Sequence, residues 1–157
     1  MILVDTDVLI VTLCGVDAAR AWLRDTRLQV GRLAVSVVTN AEIVGGMGSP
    51  ERREVTLLLN SLRPLSVTDM VAHRAGELRR RHRRSHCAIG LVDYLIAATA
   101  LLHGLELVTL NIKHFPMFDD LTPPFQPLTP RCRCHAGLAW AATTRQPWSS
   151  SWIQVRV

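Results

Sequence analysis

Four apolar residues, Met1-Ile2-Leu3-Val4, run without a break into Asp5. A strand buried among parallel neighbours should not end in an unpaired carboxylate, because burying an uncompensated charge is strongly disfavoured. The fold must therefore place the end of this strand where charge is wanted. Related placements occur twice more: Glu42 follows the apolar run Leu33 to Val38, and Asp93 opens the apolar segment Leu91 to Leu105. Short apolar runs bounded by turn or cap residues alternate with helical patterns, the signature of a parallel sheet covered by helices. Strands are predicted at 2–5, 33–37, about 65–67 and 106–109. The expected class is α/β, with three layers and a mostly parallel central sheet flanked by helices.

The helices carry their own punctuation. Ser49-Pro50 before Glu51 reads as an N-cap followed by proline at the first helical position. Gly104 after His103 reads as a helix stop, and a long helix from about Thr68 runs into Arg79-Arg80-Arg81-His82-Arg83-Arg84. After Phe118 the character changes, with a proline-rich exit through Pro123, Pro124 and Pro127 and three of the four tryptophans beyond it. Residues 1–127 are expected to form one domain, a size that supports a real core, and residues 128–157 a disordered or weakly structured tail.

Composition narrows the function classes. At 48% apolar and 20% charged residues the chain is globular, with apolar surface to spare for a partner. The stretch Tyr94 to Leu102 is half of what a bilayer needs, and Met1 leads straight into the first strand without a basic leader, so no membrane span or signal peptide is expected and the compartment is expected to be cytoplasmic. Cys14, Cys87, Cys132 and Cys134 fit neither a disulfide framework nor a Cys-x-x-Cys pair. Of the net charge of +5, the acid-free tail with Arg131, Arg133, Arg145 and Arg156 carries +4, so the high pI says little about the domain.

If the fold gathers Asp5, Glu42 and Asp93 at about 5 Å from one another, they repel by roughly 3 kcal/mol per pair at an effective dielectric near 20. A divalent cation removes that penalty, and oxygen-only ligands select Mg²⁺ or Mn²⁺ over zinc. In an open α/β sheet ligands bind outside the carboxyl ends of the strands, where Asp5 lies. Each acid also has a plainer explanation. Thr39-Asn40-Ala41-Glu42 reads as a capping box on a helix starting near Asn40, and Asp93 as a first-turn acid facing the helix dipole.

Four blocks in order, Met1 to Ile10 around Asp5-Thr6-Asp7, Val38 to Ile43 around Glu42, Leu91 to Ala100 around Asp93, and Leu107 to Phe115 around Thr109 and Asn111, resemble the PIN-domain ribonucleases, and within them the VapC-type toxins of toxin–antitoxin pairs. The resemblance covers about residues 1–127 and implies a PIN-like fold and a Mg²⁺- or Mn²⁺-dependent endoribonuclease that hydrolyses RNA phosphodiesters. It implies Asp5, Glu42 and Asp93 as the catalytic, metal-holding acids and Thr6, Thr109, Asn111 and His114 as supporting positions; His114 stands where many members carry a fourth acid. It further implies an RNA substrate and a VapB-type antitoxin partner, and the apolar composition fits such a partner and a homodimer too. Arg74, Arg79, Arg80, Arg81, Arg83 and Arg84 are candidates to contact the RNA backbone or an acidic partner, against the reading of a solvated helix end. Two other classes compete: a PIN-like interaction module without activity, and a haloacid-dehalogenase-type phosphatase built on Asp5-Thr6-Asp7-Val8. The second leaves Glu42 and Asp93 unexplained.

Overall fold

The structure, a computed structural model, describes residues 1–83 and 89–126. The expectation for residues 128–157, and Arg84 with it, lies outside the described residues. Four strands, β1 (Ile2–Val4), β2 (Ala34–Ser36), β3 (Arg63–Leu65) and β4 (Glu106–Val108), form one parallel sheet in the order β3-β2-β1-β4. Leu3 aligns with Ala34 on one side and Leu107 on the other. Among the described residues six α-helices connect the strands: α1 (Thr6–Leu13), α2 (Asp17–Val30), α3 (Val37–Gly46), α4 (Arg52–Asn60), α5 (Asp69–His82) and α6 (Leu91–Leu102).

The period-two alternation of a strand divides the core in two. Leu3, Ala34 and Leu107 point to one face, where Val71, Ala75 and Leu78 of α5 and Ile96, Ala97 and Ala100 of α6 cover them. Val4, Val35 and Val108 point to the other, against Val8 and Leu9 of α1, Leu23 of α2, Ile43 of α3 and Val55 of α4. These are the three layers the strand–helix alternation demands, with β1 in the sheet's interior.

Several boundaries differ from the sequence expectation. β3 comes two residues early because it is an edge strand: its Arg63 N–H donates to Leu33 O at 2.8 Å, and Pro64, which disguises the strand in sequence, is tolerated where no second neighbour needs its N–H. α3 starts at Val37 rather than near Asn40, because Ser36 caps it by accepting from Val38 N–H at 3.3 Å. Ser49-Pro50 opens a 3₁₀ turn, Ser49–Glu51, instead of capping an α-helix, and Glu51 reaches back to accept from Gly48 N–H at 2.8 Å. Thr68 caps α5 as expected, and Gly104 adopts a left-handed φ of +59° just beyond α6. Cys14, expected as a free thiol, is disulfide-bonded. No helix among the described residues is long and apolar enough to cross a membrane.

Leu3 is fully buried in the central strand, whereas Leu28 is 80% exposed. Leu3→Ala is expected to lower unfolding free energy by about 3 kcal/mol and Leu28→Ala by less than about 0.5 kcal/mol, read from urea melts.

Candidate active site

β1 is the point at which strand order reverses: the chain adds β2 and β3 on one side and returns to place β4 on the other. Such a switch opens a crevice at the carboxyl ends of the strands. Asp5 sits there, its N–H donating to Val108 O at 3.0 Å and its Oδ1 accepting from Thr6 N–H at 2.7 Å as it caps α1. From the end of β4, Thr109 Oγ1 lies 2.8 Å from Asp5 Oδ2 and 3.2 Å from Asp7 Oδ2. Asp7 Oδ2 also accepts from Leu110 N–H at 3.0 Å, while Asn111 N–H donates to Thr109 Oγ1 at 3.0 Å.

Glu42 enters from α3. Because the helix begins at Val37, Glu42 lies in its second turn, and the Thr39–Glu42 capping box does not form. Its Oε2 instead accepts from Thr6 Oγ1 at 2.6 Å, and Thr6 Oγ1 also lies 3.2 Å from the buried Thr39 hydroxyl. Asp93 enters from the first turn of α6. Its Oδ2 accepts from Gly90 N–H at 2.9 Å, so the first-turn reading holds, and from His114 Nδ1 at 2.9 Å as well.

Burial raises the proton affinities of Asp5, Asp7 and Glu42, and neighbouring carboxylates add to it at Asp5 and Glu42. Asp5, 5% exposed, is pushed up to about 8, first by desolvation and then by the Asp7 charge, with Asp93 adding to it and hydrogen bonds from Thr109 and Thr6 opposing. Desolvation also raises Asp7, against hydrogen bonds from Thr109 and Leu110. Glu42 is raised by desolvation and by Asp93, with Thr6 opposing. Asp93 thus acts electrostatically on both Asp5 and Glu42, which places the three acids in one field.

Thr6, Thr109 and His114 are hydrogen-bonded to the three acids, and Asn111 meets Thr109 through its backbone N–H. Arg74 pairs with Glu77 at 2.9 Å, in keeping with a solvated helix face; Arg79, Arg80 and Arg81 are exposed on the last turn of α5, and Arg83 caps that helix. Sequence reasoning missed Asp7 and Thr39 as members of the site. The available signal for Asp7 was a second acid in the turn that follows β1.

The donor set suits a hard divalent cation. It is oxygen-rich and anionic, and hydrogen bonds commit one oxygen on each of three acids, Asp7 Oδ2, Glu42 Oε2 and Asp93 Oδ2. Asp7 Oδ1 is buried with no hydrogen-bond partner. Among the described residues no three acid, imidazole or thiol groups already stand in ligating geometry, so the acids adjoin without forming a closed cage.

Residues 2–119 match the family model of the PIN domain. The chain belongs to the PIN-domain family. It is 59% identical over 125 residues to Ribonuclease VapC10 of Mycobacterium tuberculosis strain H37Rv, spanning 80% of this chain and 93% of that protein. Ribonuclease VapC19 of the same strain is 37% identical over 125 residues, with 80% of this chain and 100% of that protein covered. Among solved structures, a toxin–antitoxin complex from Klebsiella pneumoniae superposes with a TM-score of 0.66 at 27% identity over 80% of this chain and 98% of its own. The four-stranded parallel sheet and its helices are the PIN fold.

Because the folded state holds the Asp5 proton more tightly than the unfolded chain, metal-free protein is most stable below about pH 4 with respect to this group and loses stability as pH rises through about 8. Melting temperature should fall between pH 5 and 9 without metal, and Asp5→Asn should flatten that decline. A profile unchanged by the substitution would place the pH dependence elsewhere.

Proposed function

We propose that this chain is a metal-dependent endoribonuclease acting as the toxin of a VapBC-type toxin–antitoxin pair in the cytoplasm, with residues 1–127 as the nuclease unit. The observation that carries the reading is the gathering of Asp5, Glu42 and Asp93 from three elements at the β1–β4 switch point, in a PIN-domain chain 59% identical to a ribonuclease.

Asp5, Glu42 and Asp93 are the residues to hold Mg²⁺ or Mn²⁺. When bound, such an ion supplies Lewis acidity, lowering the pKa of a water nucleophile and offsetting charge on the phosphodiester during in-line attack. The protein's share is to hold the acids. Thr109 fixes Asp5, Thr6 fixes Glu42, and His114 with the α6 N-terminus fixes Asp93, so that each carboxylate meets its ligand with a set orientation. Asp5 must ionise to serve, and a bound cation favours that form. The exposed Arg79, Arg80 and Arg81 supply cations for the RNA backbone, which positions the strand without reading its sequence.

The similar Klebsiella pneumoniae structure is a toxin–antitoxin complex, and on this chain the exposed Leu28, Leu57 and Met70 leave apolar surface for an antitoxin or a second copy. Thr6 and Glu42 line a small pocket with Ile10, Leu13, Ile43 and Met47, an apolar wall beside the acids.

Purified protein freed of any partner should cut cellular RNA with Mn²⁺ and stop with EDTA. Asp5→Asn, Glu42→Gln and Asp93→Asn should each lower the rate by at least about a hundredfold, since a metal ion contributes several kcal/mol of charge stabilisation. Folded, partner-free protein that cuts nothing would move the assignment to an inactive interaction module.

A further inference from the structure

One acid of the site has no role in the function proposed above. Asp7 lies in the first turn of α1, and its hydrogen bonds reach across to the segment that leaves β4. Its Oδ2 takes the Leu110 N–H at 3.0 Å and approaches Thr109 Oγ1 at 3.2 Å. A threonine hydroxyl has one proton to give. With Asn111 N–H donating into Thr109 Oγ1, that proton is aimed at the carboxylates, and the shorter path, 2.8 Å, leads to Asp5. The direct bond that remains to Asp7 is therefore the one to Leu110, with the Val8 and Asn111 N–H groups also stabilising its carboxylate.

The segment so held runs from Thr109 through the 3₁₀ turn Ile112–His114 to Phe115, which is 1% exposed in the core. Its far end is anchored by that buried ring and by the turn's own bonds, His114 N–H to Asn111 O and Phe115 N–H to Ile112 O, both 3.0 Å. Its near end leaves β4, where Val108 O accepts from Asp5 N–H, and Asp7 holds it two residues further on at Leu110. Flanking that hold stand the two side chains that orient acids: Thr109 on Asp5 and His114 on Asp93. A shift of this one segment would misplace both.

We infer that Asp7 is a positioning residue, a latch whose acceptor oxygen on Leu110 N–H sets the 109–114 segment and through it the orientation of Asp5 and Asp93. What the latch needs is an acceptor, not a charge. Asp7→Asn keeps an oxygen for Leu110 and can turn its amide towards Thr109 Oγ1, whereas Asp7→Ala keeps neither.

The test reads the segment and the site separately. Amide hydrogen exchange at Leu110 reports the latch whether or not the protein cuts RNA. The Mn²⁺ concentration giving half-maximal thermal stabilisation reports the acids, and RNA cleavage is the third readout. In Asp7→Asn, Leu110 should stay protected, with half-saturating Mn²⁺ within about threefold of wild type. In Asp7→Ala, Leu110 should exchange at least about tenfold faster, and half-saturating Mn²⁺ should rise by about 10- to 100-fold, as for other lost outer-shell supports, with kcat reduced and KM for RNA unchanged. Thr109→Val reads the same link from the other end and serves if Asp7→Ala does not fold: Leu110 should remain protected while half-saturating Mn²⁺ rises. Equal loss in the Asn and Ala variants would assign the requirement to charge and overturn the latch. So would unchanged Leu110 exchange in Asp7→Ala, or loss of Leu110 protection in Thr109→Val. The inference rests on the proposed function for the Mn²⁺ and cleavage readouts, and Leu110 exchange stands apart from it. A wild type that neither cuts RNA nor responds to Mn²⁺ would end that reading and leave Leu110 exchange to decide the latch.

Discussion

Val4 aligns with Val108 in the parallel pairing of β1 with β4, and the residues that follow, Asp5 and Thr109, meet through a hydroxyl–carboxylate hydrogen bond of 2.8 Å. Everything at the site is referred to that junction. The two strands lie side by side but are separated by about a hundred residues of sequence, so the chain must complete the sheet before Asp5 acquires its support. Asp7 bridges the same junction one layer out, through Leu110. The elements that bring Glu42 and Asp93 are then positioned by the two cores, α3 on the face of Val4 and Val108, α6 on the face of Leu3 and Leu107.

The arrangement runs against stability. Asp5 is more deeply buried than many apolar residues on this chain, and both its burial and its neighbours Asp7 and Asp93 disfavour its charge. Hydrogen bonds from Thr6 and Thr109 offset part of that cost, but a carboxylate is better compensated by a full positive charge. Among the described residues the one basic side chain hydrogen-bonded to these acids is His114, and it meets Asp93 rather than Asp5. The core on both faces of the sheet must therefore offset the cost of gathering these buried acids, the usual trade between a preorganised site and a stable one.

How far the sequence exposed this arrangement depends on the range of each signal. The strand ends at Asp5 and before Thr109 were legible because a buried strand has one period and an acid after it stands out. β3 was displaced because Arg63 and Pro64 hide an edge strand, which buries little and has no pattern to show. Glu42 was ambiguous for a local reason: Thr39 and Glu42 have capping-box spacing, and only the observation that Ser36 already caps α3 removes that explanation and leaves a half-buried acid in a helix interior. Asp7 was passed over because its partners, Thr109 and Leu110, are more than a hundred positions away, and no local rule brings them together.

His114 shows how a departure from a family's pattern is absorbed by local chemistry. An acid at this position would add a fifth carboxylate near Asp93, whereas an imidazole donates to Asp93 Oδ2. That same oxygen already receives the Gly90 N–H, so both donors act on one side of the carboxylate and Oδ1 is uncommitted by them. The substitution of donor for acceptor exchanges a source of repulsion for an orienting bond, and it lowers the anionic charge offered to cations while fixing more firmly the charge that remains. Under the proposed function, His114 and Gly90 together leave Asp93 Oδ1 as the oxygen this acid would offer a cation.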